Sequence, residues 1–219
     1  MTAGGAAGGE LAGHKIGILM ESDFYEHEIW YYSYRFPEAG AEVDFLTRLW
    51  GQQSLTFTGH EYKAPFTCER SLEDLDDEAL HGYSALIVPS AFVADRLRYS
   101  EHVTKPSPAT ELLRRAFADP TIVKGIICHG LWLAARLPEL VRGRRLTCHP
   151  NLYGDALNMG ATYVDEDVVV DGDLVTGRTG AQAGLFARTI IEQLASRAPR
   201  PGGNGFRPLV AAGRQGVAA

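Results

Sequence analysis

The chain has 219 residues, 45% of them hydrophobic and 22% charged, with a formal net charge of −6. That length fits one α/β domain better than two small ones, and the composition excludes wholesale disorder and fibrous repeats. The acidic balance argues against a nucleic-acid partner, which would show a basic excess on one face.

In chain order, residues 1–13 are rich in Gly and Ala and lack the basic and apolar regions of a secretory leader, so secretion is not expected. They are expected to be flexible. Residues 15–20 (KIGILM) are a short apolar run that predicts a buried strand. Residues 24–39 place Ile29, Tyr32 and Phe36 at helical spacing, with Gly40 as a stop. Strands are predicted at residues 41–49, 85–89 and 124–128. The last leads through Gly130 into a helical pattern over 131–137. Residues 91–108 are a long connection with little pattern beyond 94–99, either a lid over the strand ends or an insertion. Residues 167–176 predict a hairpin turning at Gly172, and 184–194 a final helix. From residue 198 to 219 the chain mixes Pro, Gly and Arg without periodicity, which predicts a flexible tail. The domain proper is therefore expected over 14–197.

Short strands interleaved with helices imply parallel βαβ units, in a doubly wound α/β sheet with helices on both faces. In such sheets the reactive groups gather beyond the carboxyl ends of the strands. That rule directs attention to Glu21, to Pro89-Ser90 and to Cys128-His129. No apolar run approaches the ~18 residues that span a bilayer, so no membrane partner is expected. Three cysteines, an odd number, point to free thiols in a reducing, cytoplasmic setting.

Ile126-Ile-Cys-His-Gly130 puts a cysteine where a buried strand turns toward a helix, the layout of a nucleophile elbow. Gly130 allows close backbone packing. The N–H groups of the following helix favour thiolate over thiol and can stabilise an oxyanion on a substrate carbonyl. His129 is adjacent in sequence, although consecutive side chains usually point apart. The Cys128-His129 and Cys148-His149 pairs lack the spacing of a metal site, and no dinucleotide or phosphate-loop fingerprint follows any strand. The sequence thus asks for no metal and no cofactor. Cys68 has the look of a structural or surface thiol, and Arg142, Arg144 and Arg145 of a solvated lead-in to a strand. Trp30, Tyr31, Tyr32, Tyr34 and Phe36 cover more than one face of their helix, which fits a subunit interface or a pocket wall.

Several segments together resemble the PfpI superfamily, which includes PfpI-type intracellular proteases and DJ-one proteins. They are Ile127-Cys-His-Gly130, Leu140-Val-Arg-Gly-Arg-Arg-Leu-Thr147 with Cys148-His-Pro150, Asn158-Met-Gly-Ala161, and residues 168–179 (VVVDGDLVTGRT). The resemblance covers about residues 15–194. It implies a flavodoxin-like three-layer sandwich, dimeric or higher, with Cys128 as nucleophile. PfpI-like members use the histidine next in sequence as base, here His129, oriented by an acid that can come from a neighbouring subunit. DJ-one-like members keep a histidine at the position of His149. The family's usual acid on the first helix, in a Phe-Glu pair where it hydrogen-bonds the cysteine, becomes Phe24-Tyr25, so Tyr25 would act as a neutral donor. Glu28, one turn on, is then the preferred replacement acid, with Glu21 and Glu26 as alternatives. The usual Pro-Gly-Gly oxyanion segment is Pro89-Ser-Ala91, which puts Ser90, Ala91 and Gly130 at the pocket floor.

The leading expectation is a cysteine enzyme acting on a small electrophilic carbon by glyoxalase- or deglycase-like hydrolysis, or by hydratase- or lyase-like chemistry. A redox sensor or chaperone using the same thiol is the alternative, and a dead-site scaffold a third.

Overall fold

The computed structural model describes residues 9–200. The apolar runs form parallel strands β1 (Lys15–Leu19) and β2 (Glu42–Thr47), with α1 (Glu26–Glu38) crossing between them. A hairpin of β3 (Leu55–Thr58) and β4 (Pro65–Cys68) follows, then β5 (Arg70–Ser71) and α2 (Asp77–His81). β6 (Ala85–Val88) and β7 (Val123–Ile127) are joined through α3 (Val93–Leu97) and α4 (Pro108–Ala118). A small parallel pair, β8 (Arg145–Leu146) and β9 (Thr162–Tyr163), flanks α5 (Tyr153–Asn158). The hairpin of β10 (Val168–Asp171) and β11 (Leu174–Gly177) leads into α6 (Ala183–Ala195).

Seven strands make the main sheet in the order β10-β11-β7-β6-β1-β2-β5, parallel throughout except for β10. Its central strands are buried on both sides, and all five residues of β7 are inaccessible. That explains why they read as continuous apolar runs rather than alternating ones. α1 and α6 pack on each other over one face through Tyr32, Phe36 and Phe186. This is the mostly parallel, flavodoxin-like α/β architecture expected. The strand order reverses between β1 and β6, which opens a crevice at their carboxyl ends.

Four local readings need correction. Residues 131–137 do not form an α-helix; a 3-10 segment begins at Cys128 itself and runs to Ala134. Pro106-Ser-Pro108 is not merely loop: the Ser107 hydroxyl accepts the Thr110 amide and Pro108 opens α4 as its first residue. Of the N-terminal segment, residues 1–8 lie outside the described residues, but 9–13 are docked rather than flexible. Leu11 is wholly buried, and its amide donates to the Ala39 carbonyl at 2.7 Å. Of the tail, 201–219 lie outside the described residues, while Arg200 pairs with Asp119 at 2.7 Å.

Candidate active site

Cys128 follows directly on β7 and has φ +60°, a left-handed backbone that a residue with a Cβ adopts at a cost. The turn needs Gly130: a Cβ there would lie 2.7 Å from the Val88 carbonyl oxygen, so only glycine lets the chain pass so close to β6. Ala91, after β6, has φ +59° and completes a second sharp turn facing the first. Burial pushes the Cys128 thiol upward, and the nearby Glu28 adds to this. The backbone N–H groups of His129, Ala91 and Gly180 act in the opposite direction by favouring thiolate. The expected lowering by a helix dipole is thus corrected: the segment is a short 3-10 turn, and burial outweighs the amides, so the thiol stands above its ordinary value.

Glu28 lies on the inward face of α1 and is wholly buried. Its Oε2 accepts the Ser90 backbone N–H at 3.0 Å and also the Ser90 hydroxyl. Oε1 has no aligned partner among the described residues. The Tyr32 hydroxyl stands against the same carboxyl without a well-formed bond. Burial raises Glu28 to about 7, against the opposing pull of the Ser90 donors and Tyr32. Among the candidate acids, then, Glu28 is the one the fold brings to the cysteine. Glu26 is also buried but points elsewhere, accepting the amides of Glu61 and Tyr62 at 2.9 and 2.7 Å. Glu21 accepts its neighbour Ser22 and is absent from the pocket lining.

No acid orients His129 among the described residues. Both ring nitrogens of His129 are buried without a hydrogen-bond partner among the described residues. The ring sits instead between Phe92, Trp132 and His149, its centroid 4.5 Å from that of His149. Burial first, then His149, keep its pKa below the ordinary histidine value; Asp95 opposes them. His149 therefore belongs to the site rather than to a bare strand end. Its Nδ1 accepts the Asn151 amide at 3.2 Å, which leaves the proton of the neutral ring on Nε2.

Cys128, His129 and His149 each offer a ligand atom within 4.8 Å of the other two, a convergence their spacing did not disclose. His149 suits a metal poorly in this arrangement: the nitrogen with a free lone pair is already engaged, and the other carries the proton.

A pocket of about 230 Å³ opens above these groups. Tyr25, Ser90, Ala91, Cys128, His129 and His149 all line it, while Glu28 and Gly130 are buried and are not among its lining residues. Tyr25 is packed against Gly180, where a Cβ would meet its ring at 2.6 Å. Sequence reasoning missed His60 and Glu61 at the tip of the β3–β4 hairpin, Phe92, and the turn from Thr179 to Ala181. Beyond Phe92, the long connection expected as lid or insertion contributes nothing to the lining.

Elsewhere, Cys68 is buried at the end of β4, and burial pushes its thiol up to about 12. Arg144 is not simply solvated: it binds Asp171 and Asp173, both at 2.8 Å. None of the helices is long and apolar enough to cross a membrane, among the described residues.

Known proteins with this chain's features are consistent in kind. A deglycase of Pyrococcus horikoshii is 29% identical over 181 residues, 82% of this chain and 99% of its own length. Protein/nucleic acid deglycase 2 of Escherichia coli is also 29% identical, over 82% of this chain and 97% of its own. The crystal structure of a ThiJ/PfpI domain protein from Brachyspira murdochii superposes with a TM-score of 0.71 at 16% identity, covering 85% of this chain and 99% of that one. The DJ-1/PfpI family model matches residues 14–193. With that match spanning the whole sheet and every pocket residue, the chain belongs to the DJ-1/PfpI family.

Proposed function

We propose that this chain is a cysteine-nucleophile enzyme that acts on a small carbonyl compound, with deglycase- or glyoxalase-like hydrolysis as its reaction. One observation carries the reading: a wholly buried carboxyl poised near pH 7 beside a cysteine held on a left-handed turn. A general base works best when its pKa lies near the working pH, and Glu28 meets that condition. The two deglycase-named relatives favour the same chemistry.

In this reading Glu28 takes the Cys128 proton through Oε1, and sulfur adds to the carbonyl carbon. The carbonyl π electrons move to oxygen, which the backbone amides around the turn stabilise. The proton then returns from Glu28 to that oxygen, giving a thiohemiacetal. His149 presents Nε2–H to the pocket as a second donor. With a dicarbonyl, the neutral His129 moves the proton of the adduct carbon to the neighbouring carbonyl carbon, turning the thiohemiacetal into a thioester, and water cleaves that thioester to the hydroxyacid and the free Cys128 thiol. The pocket volume suits a substrate of a few heavy atoms rather than a peptide. The exposed Trp30, Tyr31 and Tyr34 on α1 support assembly as a homodimer or higher oligomer.

The test is dicarbonyl consumption, with glyoxal as probe, and hydroxyacid formation by the full chain. Cys128→Ser should abolish turnover, and Glu28→Gln should lower kcat/KM by roughly 10²-fold or more. Full activity in Cys128→Ser would overturn the proposal. So would a native chain whose Cys128 alkylates readily but consumes no carbonyl probe; that result would favour the redox-sensor reading.

A further inference from the structure

We propose that Ser90 is a positioning residue that fixes the oxygen through which Glu28 takes and returns its proton. The inference rests on the reading of Glu28 as proton carrier for Cys128 and goes further, to what aims it.

A carboxyl has two oxygens, and a buried one on a flexible side chain has no intrinsic reason to present either. Here one is used up. Oε2 receives two donors from the same residue, the Ser90 amide at 3.0 Å and the Ser90 hydroxyl. An oxygen that accepts two hydrogen bonds is a poor place for the acid proton. Oε1, buried and without an aligned partner among the described residues, is where it must reside. Ser90 is itself buried and packed close under the opposite loop. A Cβ on Gly180 would come within 2.9 Å of the Ser90 hydroxyl oxygen, so that glycine leaves the space the hydroxyl occupies. Ala91, next in sequence and on its left-handed turn, places its amide at Cys128. One short segment therefore orients the acid with one residue and cradles the sulfur with the next.

The other groups facing Glu28 are the hydroxyls of Tyr32 and Tyr25 on α1 and its cap, and the Cys128 thiol. Glu26 is turned away toward the hairpin amides. None of these replaces the Ser90 hydroxyl as a donor to Oε2. Removing it takes a hydrogen bond from the charged form, so Glu28 should hold its proton more tightly.

The experiment is the rate of Cys128 alkylation by iodoacetamide as a function of pH, which needs no substrate. The native chain should show an inflection near neutral pH that Glu28→Gln abolishes. Ser90→Ala should move that inflection up by about one pH unit, and Ser90→Thr should restore it. If Ser90→Ala does not fold, Ser90→Gly makes the same test, since the backbone donor remains. An inflection that Glu28→Gln abolishes but that Ser90→Ala and Ser90→Gly leave in place would overturn the role of Ser90 alone. A native profile that Glu28→Gln does not alter would overturn the proton-carrier reading and this inference with it.

Discussion

The two ends of β7 bury ionisable groups in opposite ways. At its start Lys124 is wholly enclosed, yet its ammonium binds Asp173 and the Asp119 carbonyl, and Arg144 bridges Asp173 to Asp171. Burial lowers Lys124, and the Asp173 carboxylate draws it back. At the other end, beyond Ile127, Glu28 is just as deeply enclosed but faces no cation among the described residues. Its donors are one serine and a poorly aligned tyrosine, and it ends near neutral pH. Beside it the cysteine sits on a left-handed turn, and the two His129 nitrogens lack partners among the described residues. The same depth of burial thus gives a neutralised staple at the amino end and an uncompensated, titratable group at the carboxyl end. Unsatisfied polar groups are costly, and they persist where chemistry needs them.

If that contrast is right, the amino end should be the more sensitive to loss of charge. Asp173→Asn leaves Lys124 enclosed with only a carbonyl to hold it, and should destabilise the fold by about 4 kcal/mol. Urea denaturation measures it. A loss below about 1 kcal/mol would mean that Lys124 sheds its proton or is solvated by water once Asp173 is neutral, and the contrast would weaken.

At the carboxyl end the effect should be of opposite sign. Glu28 has a folded pKa of about 7 against the ordinary 4.5. Between those values the native state holds a proton that the unfolded chain has released. Its stabilising contribution is therefore complete below pH 4.5 and fades as pH rises to 7. The loss amounts to about 3 kcal/mol. Glu28→Gln removes the titration, so its stability should be flatter with pH and should exceed that of the native chain at pH 8. Parallel denaturation curves at pH 5 and pH 8 decide it. A variant weaker than the native chain at both would show that Ser90 holds the carboxylate better than burial opposes it.

The sheet was legible because β1, β6 and β7 are buried on both faces and leave continuous apolar runs, and β2 leaves an alternating one through Val43 and Phe45. Cys128 was legible from its place between such a run and Gly130. The β3–β4 hairpin was not, since Thr56, Thr58 and Thr67 face solvent and the strands are four residues each. With it went His60 and Glu61 at the pocket rim. Glu26 and Glu28 are two residues apart, about 200° around the helix, so both can be buried against different partners. Nothing local to α1 says which one meets the hairpin amides and which one meets Ser90.

The smallest expected effect concerns the segment where the family's usual glycines give way to Ser90 and Ala91. Ala91 holds φ +59°, which costs a residue with a Cβ about 1 kcal/mol or more. Replacing it by glycine removes that strain, but it also frees the unfolded chain by about 0.4–1 kcal/mol. The strain term is slightly the larger, so Ala91→Gly should stabilise the fold by about 0.5 kcal/mol, read as a small rise in the urea midpoint. Its amide still points at Cys128, so the alkylation profile should not move. A stabilised variant with slower alkylation would mean that the Ala91 methyl holds the turn in place around the sulfur, and that strain at this end of β7 is retained for reactivity rather than tolerated.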